Sequence, residues 1–279
     1  HGESAYYPLF WLMNADMSAQ ARMVLWHGWT WLLFMGGAGA LWLLCRRLGL
    51  SRLLSSAAVL CLMLTPRMFA EGHYNNKDVV LLSLTLATLW SAARLADRPT
   101  FPRALVFALF GALATNTKIV GLAIWGLCAL MVLVRQIAAK RLTKRVWAIA
   151  AVTLAAFAGL YALLTPALWG DPLGFARYSL TNASSFTRWE NDVLYNGHVY
   201  RLQSEVLPRT YLPMMILLTT PPWVLLLFAL GQACALWRLV KSGAKAWADP
   251  ISLTLLTCTL LWLVPLVYAV LARVTVYNG

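Results

Sequence analysis

The stretch EGHYNNKDVV, residues 71–80, packs an acid, an imidazole, two amides, a lysine and an aspartate into eight positions between two apolar runs. Asp78 is a carboxylate that could act as a base, orient a hydroxyl or coordinate a metal. It also opens an apolar run, where an aspartate can serve as an N-terminal helix cap. Both roles stay open from the residues alone, and they are compatible. Glu71 and His73, taken by themselves, read as solvated loop residues. The spacing of His73, Lys77 and Asp78 matches no metal signature. A second stretch, NTKIVG at 116–121, sets Lys118 between two apolar segments. A lysine there can snorkel to the interface, or it can offer a point charge with three donors to a phosphate near the bilayer surface.

These residues must be held by membrane helices. The chain has 279 residues, 61% hydrophobic and only 12% charged, with a mean hydropathy of +0.67. Soluble domains carry about 25% charged residues, so this chain cannot cover a water-facing surface. Solid apolar blocks, rather than weak alternation, make the spans helical. The fold class expected is all-α: a polytopic transmembrane bundle with about eight spans, near 24–45, 52–68, 78–95, 103–115, 119–135, 146–168, 211–237 and 251–272. The fourth and fifth are short and could form a re-entrant pair. The whole of 1–279 is read as one transmembrane domain.

The net charge of +13 would suit nucleic acid in a soluble protein. Here the bases cluster in loops, as the positive-inside rule requires, so the partner expected is the bilayer and not nucleic acid. Two crossings within 103–135 put the loops after residues 45, 95, 135 and 237 on one side. That side then holds fourteen bases and two acids, and the other holds nine bases and eight acids. The first side is expected to be cytoplasmic. The second carries EGHYNNKDVV, an aromatic segment at 1–23 suited to the interface, and a long loop at 169–210. A loop of that length is more often functional than a connector. Asn182-Ala-Ser184 is a sequon, a pattern frequent by chance. The five cysteines lie in or beside apolar runs, without a CxxC pair, as packing residues. The chain opens on His1 without a signal-peptide pattern and ends in VTVYNG just after an apolar run, so both ends are read as cut. At least one further span is expected before residue 1.

LTPRMFAEGHYNNKDVVLLSLTLATLW (64–90) resembles the second outer-loop region of polyprenyl-phosphate-sugar glycosyltransferases of the GT-C class. Protein O-mannosyltransferases and aminoarabinose transferases belong to that class. In it, an aromatic and an acidic residue open the next helix, and Tyr74 and Asp78 fill those positions. ATNTKIVGLAI (114–124) looks like the family's threonine-lysine-glycine stretch, although Gly121 lies three residues beyond Lys118 instead of next to it. PALWGDP (166–172) and VLPRTYLPMMILLTTPPWVLLLFALG (206–231) look like the later outer loop and its following helix. The terminal VYNG is similar to the approach to a family motif that this chain lacks. The family's main catalytic acid belongs to the first outer loop. Glu3 and Asp16 are the acids present there, and neither matches its motif.

The resemblance implies transfer of a sugar from a polyprenyl phosphate to a protein, lipid or glycan acceptor at the outer face of a bacterial inner membrane. It assigns Asp78 and Glu71 as site acids. Lys118 and then Lys77 become the phosphate-binding cations, with His73 and Tyr74 lining the cavity. No cofactor is implied beyond the lipid-linked donor, which is a substrate, and a divalent metal stays open. The loop 169–210 is expected to cover the site or meet the acceptor. Two other classes compete: a secondary transporter, which should show broken helices and charges at mid-span, and a non-catalytic membrane scaffold.

Overall fold

The computed structural model describes residues 4–13, 16–184 and 192–273, with Leu180 and residues 182–184 as backbone only. Glu3, Arg188, Glu190, the sequon side chains and the terminal VYNG therefore lie outside the described residues. The described residues are 81% helical. A 3-10 turn at Ser4–Tyr6 leads into thirteen helices among the described residues: α1 (Tyr7–Leu12), α2 (Ala19–Arg47), α3 (Arg52–Leu64), α4 (Pro66–Tyr74), α5 (Asp78–Asp97), α6 (Phe101–Thr117), α7 (Val120–Ala138), α8 (Lys144–Leu164), α9 (Ala167–Gly170), α10 (Pro172–Ser184), α11 (Tyr211–Thr219), α12 (Pro222–Ser242) and α13 (Pro250–Leu271). A short hairpin, β1 (Val193–Tyr195) and β2 (His198–Tyr200), pairs Leu194 with Val199.

Local chemistry explains the boundaries. Ser18, Ser51, Thr143 and Asp249 each accept a hydrogen bond from a backbone N–H in the following first turn, capping α2, α3, α8 and α13. All eight apolar runs are helical, but three are cut short or broken. The run 52–68 breaks at Thr65–Pro66, where α3 and α4 bend by 70°. The run 146–168 ends its long helix at Leu164, and 211–237 divides at Thr220–Pro221. Each cut precedes a proline, whose ring disfavours helical geometry in the residue before it and which has no N–H to donate.

Six helices among the described residues are long and apolar enough to cross a membrane, and counting the bent α3–α4 pair as one span makes seven. The protein is an integral membrane protein by that measure. The expected count of about eight is higher because α6 has 17 residues, about 26 Å at 1.5 Å per residue. It still runs the full height of α5 rather than turning back. Arg103 at its start donates to the Arg94 and Arg98 carbonyls at the end of α5, and Lys118 beyond its end pairs with Asp78 at the start of α5.

The bundle has two chemically distinct ends. At one, Arg47 reaches Asp97 and Thr254, Gln136 donates to the Ala96 carbonyl, and Arg238 pairs with Asp249. At the other, Asn116 donates to the Leu164 carbonyl and to Thr165, and accepts from the Ser4 amide. Tyr7 also donates there to the Leu164 carbonyl. The segment before α2 is thus partly built into the bundle. Tyr6 and Leu9 are buried, and Tyr6 stacks on Trp26 at 4.5 Å, although Trp11 stays exposed.

At the centre, α5 packs against α2, α6 and α7, and its face carries Val80, Leu84, Leu89, Ala92 and Ala93 in the core. Close approach is made by glycine. A Cβ on Gly37 would stand 2.5 Å from the Ser83 hydroxyl oxygen, and one on Gly72 would stand 2.8 Å from the Phe34 ring. Small residues at such crossings let membrane helices gain dispersion contact where no hydrophobic force drives them together.

Candidate functional site

Glu71, His73 and Tyr74 are not loop residues. They form the last turn of α4, which begins at Pro66 and packs through Gly72 onto Trp31 and Phe34 of α2. The Glu71 side chain is only 13% exposed, with Arg67 one turn back at 3.8 Å. His73 lies stacked on Trp31 at 4.2 Å and edge-on to Phe69. Its Nδ1 faces the Phe69 carbonyl at 2.8 Å. A carbonyl only accepts, so Nδ1 carries the proton, and in the neutral ring Nε2 is left as an acceptor.

The chain leaves α4 at Asn75 and enters α5 at Asp78. The cap of α5 is not Asp78. Oδ1 of Asn75 accepts from the Lys77 and Asp78 amides, at 3.1 and 2.8 Å. An asparagine two and three residues ahead of those amides does this readily, since its side chain mimics a backbone turn. The Asp78 carboxylate is thereby released from capping. It pairs with Lys118 and accepts from Nδ2 of Asn75 at 3.3 Å. The same Nδ2 donates to Glu71.

Lys118 sits in extended conformation between α6 and α7. Its amide donates to the Ala114 carbonyl and its carbonyl accepts from Gly121. Gly121 is required by space: a Cβ there would lie 2.3 Å from the Ala114 carbonyl carbon. Two residues before Lys118, Asn116 ties the end of α6 to α8 and to the Ser4 amide. The lysine is thus delivered by a turn fixed on both sides. Its side chain is 27% exposed, whereas Asp78 is 64% exposed.

Of the residues singled out from the sequence, Asp78, Glu71 and Lys118 come together, although Asp78 and Lys118 are 40 positions apart. Lys77 and Tyr74 are exposed and have no side-chain partner among the described residues. His73 belongs to the aromatic contact with α2. Asn75, Arg67 and Asn116 complete the arrangement and were not singled out. For Asn75 a signal existed: an asparagine three positions before an aspartate that opens an apolar run is a helix-start pattern. Among the described residues, no group of three or more His, Cys, Asp or Glu could hold a metal ion. The long loop is braced on its own stem, where Val193, Leu207 and Tyr211 are buried together and Tyr195 donates to Thr210.

An apolar groove of about 570 Å³ lies between α2 and α5, lined by Leu32, Gly36, Gly39, Val80, Ser83 and Trp90 among others. It begins at Val80, two residues from Asp78, and reaches Trp90, about 18 Å along α5 from Asp78. The glycines of α2 give it depth, since they leave no side chain in its floor. Comparison with known proteins found no matching family model, no matching curated protein and no matching solved structure.

Proposed function

We propose that this protein is a membrane glycosyltransferase of the GT-C kind, moving a sugar from a polyprenyl-phosphate donor to an acceptor hydroxyl. One observation carries the reading: a carboxylate–ammonium pair, Asp78 and Lys118, lies at the least basic end of the bundle, two residues along α5 before Val80, where an apolar groove between α2 and α5 begins. Such a donor has a charged phosphate at headgroup level and an apolar tail in the bilayer. The pair and the groove match those two parts in chemistry and in order.

In this mechanism the acceptor hydroxyl attacks the anomeric carbon, and the bond from that carbon to the phosphate oxygen breaks with inversion. Asp78 accepts the hydroxyl proton or orients the hydroxyl, with Glu71 as the neighbouring acid. Lys118 meets the charge that grows on the leaving phosphate. Lys77, exposed and unpaired among the described residues, is a second cation. Tyr74 is assigned to the cavity lining, and the described part of the segment 169–210 to contact with the acceptor. The basic end faces the cytoplasm and the site faces outward, following the charge asymmetry; the bacterial inner membrane is what the family resemblance implies.

The test is a transfer assay in proteoliposomes with a panel of polyprenyl-phosphate sugars. Product should form with the wild type and be lost in Asp78→Asn and Lys118→Ala; wild-type turnover in both variants would end the proposal. A secondary transporter is the second reading. The 70° break between α3 and α4 favours it, since broken helices line transporter sites. Substrate-driven uptake without sugar transfer would establish that reading instead.

A further inference from the structure

Asn75 makes four hydrogen bonds with one side chain, and they divide cleanly between two jobs. Oδ1 accepts from the amides of Lys77 and Asp78. Only an oxygen can accept two N–H groups, so the orientation of the amide is fixed by the backbone. Nδ2 must then face the other way, where it meets Glu71 Oε2 and Asp78 Oδ2. Two carboxylates converge on one NH2 group. Without it, the like charges on Glu71 and Asp78 would repel with no donor between them, and only the pair with Lys118 would orient Asp78.

We infer that Asn75 is a positioning residue of the site: it separates the two carboxylates, leaves Glu71 with Arg67 and aims Asp78 at Lys118. The result is an alternating row of donors and acceptors, Arg67, Glu71, Asn75, Asp78 and Lys118, that spans from α4 to the α6–α7 turn. The Oδ1 half of the Asn75 side chain fixes where α5 starts, and the amide NH2 half fixes where its first carboxylate points. The catalytic consequence rests on the transferase reading, in which Asp78 faces the acceptor hydroxyl. The geometric consequence does not.

The two jobs separate by substitution. Asn75→Ser and Asn75→Asp both keep an oxygen that caps α5, but neither brings the amine. Asn75→Ala loses both functions. The expected result is that the serine and aspartate variants melt close to the wild type, while turnover falls about tenfold, the effect of losing one hydrogen bond to a charged group. KM for the donor should change little, because Lys118 remains. In Asn75→Asp the acid limb of the pH–rate profile should move upward, since a third carboxylate makes one of the three harder to ionise.

A readout independent of turnover uses the lysine itself. Acylation of Lys118 by an N-hydroxysuccinimide ester, followed by mass spectrometry, reports whether Asp78 still holds the ammonium. Labelling should rise severalfold in Asn75→Ser relative to the wild type. Wild-type turnover and wild-type Lys118 labelling in both capping variants would reduce Asn75 to a helix cap and overturn the inference. Should the wild type transfer no sugar, the transferase reading fails on its own, and the labelling comparison still decides the role of Asn75.

Discussion

The two ends of the bundle both join acids to bases, yet they do so in different ways. At the basic end each acid is held by an arginine. Arg47 forks onto both oxygens of Asp97, at 2.7 and 3.1 Å, and also donates to Thr254 and the Ala93 carbonyl. Arg238 and Ser252 converge on Asp249. Three helices are tied by the first group and two by the second. At the other end a lysine meets an aspartate that is 64% exposed, and the remaining carboxylate oxygens lean on one asparagine amide. A planar fork such as Arg47, with four of its five N–H groups donating, is suited to joining helices. A point charge with donors to spare, beside an accessible carboxylate, is suited to receiving a ligand. The contrast separates closed from open ionic groups by geometry, where sequence shows only Lys, Arg, Asp and Glu.

The largest expected effect is on activity. Asp78→Asn should lower turnover by about 10²–10⁴-fold, the range for removing an acid–base group, with stability within about 1 kcal/mol because the pair is exposed. A transfer assay alongside thermal unfolding in detergent checks both halves. Arg47→Ala should show the reverse signature. Its side chain is 14% exposed, and removing it strands Asp97, costing about 2–3 kcal/mol while turnover per folded molecule holds. If Arg47→Ala abolished turnover in folded protein, or Asp78→Asn unfolded the chain, the division between the ends would fail.

Smaller effects sharpen the comparison. Gly121→Ala should cost about 1–3 kcal/mol through overpacking against Ala114, and it should also lower turnover by displacing Lys118. Unfolding midpoints and rates measured together would separate the two.

Asp249 supplies a pH test at the basic end. Burial alone would raise its pKa, but hydrogen bonds from the Ser252 hydroxyl and amide and the Arg238 guanidinium hold it down at about 2. A depressed carboxylate contributes stability above its unfolded value of 3.8, and that stability is lost as pH falls from there toward 2. Asp249→Asn should therefore cost about 1–2 kcal/mol at neutral pH and flatten the stability curve between about pH 4 and pH 2.

Much of the site was legible before any fold was known. Asp78 and Lys118 stood out because ionisable groups beside apolar runs are costly at membrane depth. The partner of each was not legible, since 40 intervening positions carry no signal of which helix faces are brought together. The cap assignment also shifted. Sequence offered Asp78 as the capping residue because it opens the apolar run, but the turn at Asn75 places an amide oxygen there first. Glu71 and His73 were read as solvated because they sit among polar neighbours. Gly72 between them brings α4 onto Trp31 and Phe34, where His73 stacks on Trp31, while Glu71 is covered beside Arg67 and Asn75.

By itself the sequence determined that the chain is helical and membrane-embedded, where its apolar runs lie and how its bases divide between loops. Those properties depend on each segment's own hydropathy and on the local rules for proline and caps, so they survive without neighbours. Only the tertiary structure decided that α3 and α4 bend by 70°, that α6 runs the height of α5, and that Lys118 meets Asp78. These depend on helix register. Register is fixed where a glycine lets a neighbour close onto its own backbone, at Gly37 against Ser83, Gly111 against the Trp125 ring and Gly121 against Ala114. A glycine announces that a close approach is possible, but not which helix will make it.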